Sequence, residues 1–175
     1  MCGIVGIFST KNQAPIEKEQ LISMRDTMLH RGPDGGGSWL DEQSKIALGH
    51  RRLSIVDLSN SSDQTMASHR GRYNFVFNGE IYNFLEVKKE LESIGINKWK
   101  TDHSDTEVLI EAYAYWGVDA VHKLRGMFAF AIWDSEEHSL FVCRDRIGEK
   151  PLYYSFKNDV FLFASNYINY HLSLF

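Results

Sequence analysis

From Cys2 to Phe8 the chain is an almost unbroken run of apolar and glycine residues, Cys2-Gly3-Ile4-Val5-Gly6-Ile7-Phe8. A short run of this kind, rich in β-branched side chains, reads as a buried strand that tethers the N-terminal end at the edge of a core. Ile16 to His30 places Leu21, Met24 and Met28 on one helical face, and Arg31-Gly32-Pro33-Asp34-Gly35-Gly36-Gly37 then stops the helix and reads as a loop. Lys45 to Gly49 and Tyr73 to Asn78 read as strands, with Asn78-Gly79 supplying turn chemistry suited to positive φ. Phe84, Val87, Leu91 and Ile94 line one face of a helix capped by Gly95. Ser104-Asp105-Thr106-Glu107 fits a capping box, which puts Asp105 at the first helical position ahead of a stripe of Leu109, Ala112, Tyr113 and Trp116. Met127 to Asp134 alternates Phe128, Phe130 and Ile132 and forms a hairpin with Ser139 to Arg144; Pro151 to Lys157 and Val160 to Ala164 form another around Asn158-Asp159. Hairpins interspersed with a few helices predict an α+β fold, with sheets packed together and helices on their outer faces.

Composition narrows the function. A chain of 175 residues, 43% hydrophobic and 13% aromatic, can bury the core of one domain. Its formal charge of -4, with no run of Lys or Arg, argues against nucleic acid or anionic membrane as partners. No apolar stretch approaches the ~20 residues of a membrane span, and the first residues lack the basic segment of a signal peptide, so a cytoplasmic protein is expected. Cys2 and Cys143 are the only cysteines, too few for a disulfide framework, and Cys143 in Leu140-Phe141-Val142-Cys143 reads as a structural strand residue. The histidines and cysteines show no metal-ligand spacing, and there is no phosphate-binding loop or serine nucleophile elbow.

The candidate chemistry starts at Cys2. Removal of Met1 would put a thiol and a free α-amine on one residue, the first a nucleophile and the second a base able to take its proton. An ordinary buried cysteine is the alternative. In Gly49-His50-Arg51-Arg52-Leu53-Ser54-Ile55-Val56-Asp57, either Arg51 or Arg52 offers a guanidinium that could grip a carboxylate through two parallel hydrogen bonds. Asn78 and Gly79 together suggest an oxyanion hole, or simply a hairpin turn. Asp105 could pair with a substrate ammonium, or complement the dipole of its helix. The His30 to Asp34 loop could close over a pocket or serve as a connection.

Six motifs then fall in one family's order: Met1-Cys2-Gly3-Ile4-Val5-Gly6, His30-Arg31-Gly32-Pro33-Asp34, Arg52-Leu53-Ser54-Ile55-Val56-Asp57, Asn78-Gly79-Glu80-Ile81-Tyr82-Asn83, Ser104-Asp105-Thr106-Glu107 and Leu124-Arg125-Gly126-Met127-Phe128-Ala129-Phe130-Ala131. With Arg144-Asp145-Arg146 and Lys150-Pro151-Leu152-Tyr153-Tyr154, the chain resembles the glutaminase domain of glutamine-hydrolysing asparagine synthetases from Cys2 to about Ser165. These are class II glutamine amidotransferases of the N-terminal nucleophile hydrolase type. The resemblance implies a four-layer αββα sandwich of two antiparallel sheets. It makes Cys2 the nucleophile, with its own α-amine as base, and gives the oxyanion hole to Asn78 and the Gly79 N–H. Arg52, in preference to Arg51, would hold the α-carboxylate of L-glutamine near the backbone of Leu53, Ile55 and Val56, while Glu80 and Asp105 would receive the α-ammonium.

Two departures from the family pattern stand out. Gln64-Thr65-Met66 replaces the usual Gln-Pro-Met, and Asn166 stands where a glutamate and an apolar helix lead into the ATP-using synthetase domain. The sequence therefore predicts an amidotransferase domain over residues 1–165, a short atypical tail over 166–175, and no synthetase domain. Glutamine hydrolysis to glutamate and ammonia is the expected activity. No cofactor or metal is expected in this chain, ATP and Mg belonging to the synthetase half; either the gene is truncated or split, or a separate synthetase subunit supplies that half. Two alternatives stay open: a non-catalytic glutamine-binding remnant, and a subunit serving an acceptor other than aspartate.

Overall fold

The computed structural model describes residues 2–11, 15–41, 43, 45–53, 66–68, 70–100 and 104–167. Among these residues two antiparallel sheets form. The first places, in spatial order, Gly35–Leu40 (β2), Ile46–Arg52 (β3), Gly3–Ser9 (β1), Val160–Ala164 (β9) and Tyr153–Lys157 (β8). The second holds Met66–Ala67 (β4), Tyr73–Ile81 (β5), Gly126–Asp134 (β6) and Ser139–Arg144 (β7). Helix α1 (Lys18–Asp26) covers the outer face of the first sheet. Helices α2 (Phe84–Ser93) and α3 (Asp105–Trp116) pack together outside the second, and α4 (Ala120–Lys123) leads back to β6. The expected αββα layering is the architecture found.

The alternation of strand side chains builds the three apolar layers between these four. Val5 and Ile7 face Leu21, Met24 and Met28 of the α1 side. Their neighbour Ile4 turns the other way, into a layer with Leu48, Val76, Ala129, Ala131, Trp133 and Phe163 between the sheets. Phe75, Phe77, Phe128 and Phe130 join Leu91, Val108 and Leu109 beneath α2 and α3. Strand β1 is thus covered on both faces, which is why its sequence has no polar alternation.

Local signals work as the sequence suggests at several points. The Ser104 hydroxyl accepts the Glu107 N–H at 3.3 Å, capping α3. Asn158 and Asp159 take φ of 51° and 60°, the pair of positive values that a tight β8–β9 hairpin requires. The crossing from β7 to β8, which joins the two sheets, is tied by Arg144 and Asp145. Arg144 donates to the carbonyls of Lys150 at 2.6 Å and Gly148 at 2.5 Å, and the Asp145 carboxylate accepts from the N–H groups of Glu149 at 2.9 Å and Lys150 at 3.0 Å. Burial by itself would raise the Asp145 carboxyl, but these backbone donors outweigh it and hold the group below the usual carboxylate value.

Two expectations need correction. Gly35-Gly36-Gly37 is not a loop but the start of β2, paired with Arg52, Arg51 and His50 of β3. The absence of side chains there reads as a chain break, yet it makes room for the Arg51 guanidinium, whose Nη1 would lie 2.6 Å from a Cβ on Gly36. Nor is Asn78-Gly79 a turn. β5 runs straight through it to Ile81, paired with β6 as far as Gly126. Gly79 faces Phe128, and a Cβ added to it would stand 2.3 Å from the Met127 carbonyl oxygen, so the glycine serves close approach of two strands.

Candidate active site

The Cys2 thiol is held by one backbone unit. The Leu53 N–H donates to Sγ at 3.4 Å, and Sγ lies 3.8 Å from the Leu53 carbonyl oxygen. Because Gly3 pairs with Arg51, the register carries Cys2 opposite Arg52, on the face shared with Ile4 and His50 that looks toward the second sheet. The same alternation separates the two arginines. Arg51 falls on the α1 side with Gly3, its Nη1 3.7 Å from Asp26 Oδ1, whereas the buried Arg52 shares the inner face with Cys2.

Arg31 also reaches Cys2, a contact that its place in the glycine-rich motif signalled only as a loop near a pocket. Its Nε donates to the Cys2 carbonyl at 3.2 Å. The approach depends on Gly32, where a Cβ would stand 2.5 Å from the Arg51 carbonyl carbon, so that the turn after α1 lies flush on β3. Burial lowers the pKa of the Arg31 guanidinium, while the nearby Cys2 thiol and Tyr153 phenol act to raise it.

The second sheet brings residues of β5 to the same layer. Val76 lies in the layer between the sheets, and the period of two carries Asn78 and Glu80 onto that same inner face. Asn78 is only 2% exposed, and its Nδ2 has no hydrogen-bond partner among the described residues. The residue opposite, Ala129, is small.

Edge geometry locates the Gly79 N–H as well. Odd-numbered residues of β5 turn their backbone groups away from β6: Tyr73 exchanges bonds with Ser68, and the Ile81 N–H donates to Asp105 Oδ2 at 3.0 Å. Even-numbered Tyr82 donates instead to Arg125 on the β6 side. Gly79 therefore presents its N–H on the outer edge of β5, beyond the pairing with β4 described as far as Phe75.

Asp105 opens α3 and reaches back across the end of β5, where Oδ1 also accepts the Thr106 hydroxyl at 3.2 Å. Burial raises its carboxyl above the usual value. The Ile81 and Thr106 donors oppose that rise, and the Glu80 charge adds to it. No cation is paired with it among the described residues, so a ligand bringing an ammonium would stabilise its charged form. Ile55 and Val56 lie outside the described residues.

A family model described as the glutamine amidotransferase domain matches residues 1–170. The chain belongs to that family. Among curated relatives, asparagine synthetase [glutamine-hydrolyzing] 1 of Bacillus subtilis (strain 168) is 46% identical over 167 residues, covering 94% of this chain and 26% of the relative. Asparagine synthetase [glutamine-hydrolyzing] 3 of the same organism is 40% identical over 166 residues, with the same coverage of 94% and 26%. The chain spans about a quarter of the length of these relatives. Among solved structures, a glutamine phosphoribosylpyrophosphate amidotransferase from B. subtilis complexed with ADP and GMP superposes over 98% of this chain and 43% of that one, with a TM-score of 0.77 at 22% identity. At that identity the likeness concerns the fold.

Elsewhere in this amidotransferase domain, Cys143 packs against the apolar layer under α3, and burial pushes its thiol up to about 11, the opposite of an activated nucleophile. Among the described residues no cluster of His, Cys, Asp and Glu is arranged to hold a metal ion, and no helix is long and apolar enough to cross a membrane.

Proposed function

We propose that this domain hydrolyses the side-chain amide of L-glutamine to glutamate and ammonia, with Cys2 as nucleophile. The observation that carries the reading is the buried Asn78 Nδ2, without a hydrogen-bond partner among the described residues, on the sheet face opposite the one that holds Cys2. A buried amide donor left without a partner is costly to a fold, and a site that forms negative charge on an oxygen there gives it one.

With Met1 removed, the α-amine of Cys2 takes the thiol proton and the sulfur attacks the amide carbon. The Asn78 amide and the Gly79 N–H donate to the oxygen as it becomes an oxyanion, the ammonium form of the base returns its proton to the leaving nitrogen, and ammonia departs. Water then attacks the γ-glutamyl thioester, releasing glutamate and the thiol. Arg52, on the inner face with Cys2, binds the α-carboxylate beside the Leu53 backbone, and Asp105 with Glu80 receives the α-ammonium. Ile55 and Val56 would complete the carboxylate end. These steps need no cofactor.

The ammonia would pass to an acceptor activity outside these residues, as in an asparagine synthase-like system, where a separate synthetase subunit using ATP and Mg would receive it; another acceptor would leave this site unchanged. The test is direct. Protein shown by mass spectrometry to begin at Cys2 should release glutamate from glutamine and should be labelled on Cys2 by a diazoketone analogue of glutamine. Cys2→Ala should lose both. Glutamine binding without hydrolysis by the unaltered protein would overturn the reading and leave a binding module.

A further inference from the structure

The edge of β1 that faces β9 holds a series of backbone groups ending at the nucleophile. Even-numbered residues of β1 point their N–H and C=O groups this way, since Ser9 bonds to Lys45 on the β3 side while Thr10 bonds to Asp159 on the β9 side. The regular ladder runs to Val5 opposite Ala164, and beyond it β9 ends. The next two positions are finished by other means. Ile4 O accepts the Ser165 N–H at 2.9 Å, and the Ile4 N–H donates to the Ser165 hydroxyl at 3.1 Å, a side chain standing in for the missing strand. Cys2 O is then taken by Arg31. The last group on this edge is the nitrogen of Cys2, the α-amine of the processed chain.

Ser165 is 1% exposed, so its hydroxyl sits in a fixed, water-poor place two residues from the nucleophile. The segment it opens also reaches the residue that precedes Arg31: Asn166 Nδ2 lies 3.5 Å from His30 Nε2, and the Tyr167 ring stands edge-on to Tyr153.

We propose that Ser165 is a positioning residue for the reaction: its hydroxyl fixes the Ile4 N–H and so sets the direction in which the Cys2 α-amine points at its own thiol. The proposal rests on the glutaminase reading above. A misplacement of about 1 Å at a reacting group can lower turnover on the order of 10²-fold, and one bent peptide at the end of β1 is enough to cause it. Ser165 touches no substrate, so its loss should act on turnover and not on glutamine affinity.

The experiment compares unaltered protein, Ser165→Ala and Ser165→Thr, each processed to Cys2. Ser165→Ala should lower kcat at least tenfold with KM for glutamine changed less than about twofold, and Ser165→Thr, which keeps the hydroxyl, should recover most of it. A second readout bypasses glutamine: the pH profile of Cys2 alkylation by iodoacetamide, followed on the Cys2 peptide, should move in Ser165→Ala and return in Ser165→Thr. Equal kcat and superimposable alkylation profiles in all three proteins would overturn the proposal. So would a loss shared equally by KM and kcat and tracking a fall in melting temperature. Absence of glutamate release by the unaltered protein would instead overturn the glutaminase reading, while the alkylation profiles would still judge Ser165.

Discussion

Asn78→Ala should make the domain a far poorer enzyme and no less stable. Asn78 is 2% exposed and its Nδ2 lacks a partner among the described residues. A buried donor in that condition costs a fold about 1–3 kcal/mol, which the substitution removes. Against this, deleting the amide group opens roughly 25 Å³, and at ~24 cal/mol per Å³ the cavity costs about 0.6 kcal/mol. The balance lies between zero and about 2 kcal/mol in favour of the variant. For a domain of this size, about 1 kcal/mol moves the melting temperature by roughly 2–4 °C, so the expected result is an unchanged or raised value. Turnover should move the other way. Loss of one oxyanion donor costs about 2.7–4 kcal/mol in the transition state, on the order of 10²–10³ in kcat, with the Gly79 N–H left to act alone. Glutamate release gives kcat, thermal unfolding gives stability, and calorimetry with Cys2→Ala as background gives glutamine affinity, which should hold within a few-fold. A melting temperature lowered by more than about 4 °C, with kcat within threefold of the unaltered protein, would refute the reasoning. It would mean that Asn78 serves the fold.

Arg52→Lys should raise KM for glutamine by about 30–100-fold, because a point charge replaces a two-pronged grip, whereas Arg51→Lys, on the α1 side near Asp26, should leave KM within about twofold. Equal effects in the two variants would contradict the assignment of faces. The Asp105 carboxyl is raised in the folded protein mainly by burial, so its charged form is disfavoured above the folded pKa and relieved as pH falls through it. The ligand-free domain should accordingly gain stability through this group on mild acidification, and KM should rise over the same window because the bound ammonium needs the charged form. Asp105→Asn should flatten both dependences, and a KM unmoved by pH in the unaltered protein would count against the pairing. Gly79→Ala should lower the urea midpoint by the equivalent of about 3 kcal/mol or more, since its Cβ would meet the backbone of β6 at 2.3 Å. A well-folded Gly79→Ala protein would show that the two strands can part there.

What the chain discloses in advance is whatever repeats locally. The alternation of Phe128, Phe130 and Ile132, the Ser104 cap and the Asn158-Asp159 turn each depend on neighbours a few residues away, and each is found in place. The glycines mislead for one shared reason. In Gly35-Gly36-Gly37 and in Asn78-Gly79 the small residue answers to something distant in sequence, the Arg51 side chain in one case and the Met127 carbonyl in the other. Local reading assigns such positions to turns, because a turn is the only use of glycine that a short window can express. The choice between Arg51 and Arg52 is likewise beyond local pattern. The β1–β3 register makes it at once, because residues adjacent in a strand point to opposite faces. Arg31 escapes local reading because its partner is a backbone carbonyl, which leaves no mark on sequence.

The distribution of the site over two sheets has a consequence for what the apolar layer between them does. Cys2 and Arg52 lie on the first sheet's side, while Asn78, Gly79 and Glu80 belong to the second, so no hydrogen-bonded ladder fixes the distance from the Cys2 sulfur to the Asn78 amide and the Gly79 N–H. That distance is set by side-chain packing among Ile4, Leu48, Val76, Ala129, Ala131 and Phe163, together with the β7–β8 crossing tied by Arg144 and Asp145. Ala129 stands directly opposite Asn78 on β6, and its small side chain leaves the amide room at the inner face. Interiors packed at crystal-like density transmit a change of one methylene to their neighbours. The residues that govern the reacting distance are therefore apolar and remote from the chemistry. The polar residues of each sheet decide which groups are offered, and the layer between the sheets decides whether those groups meet.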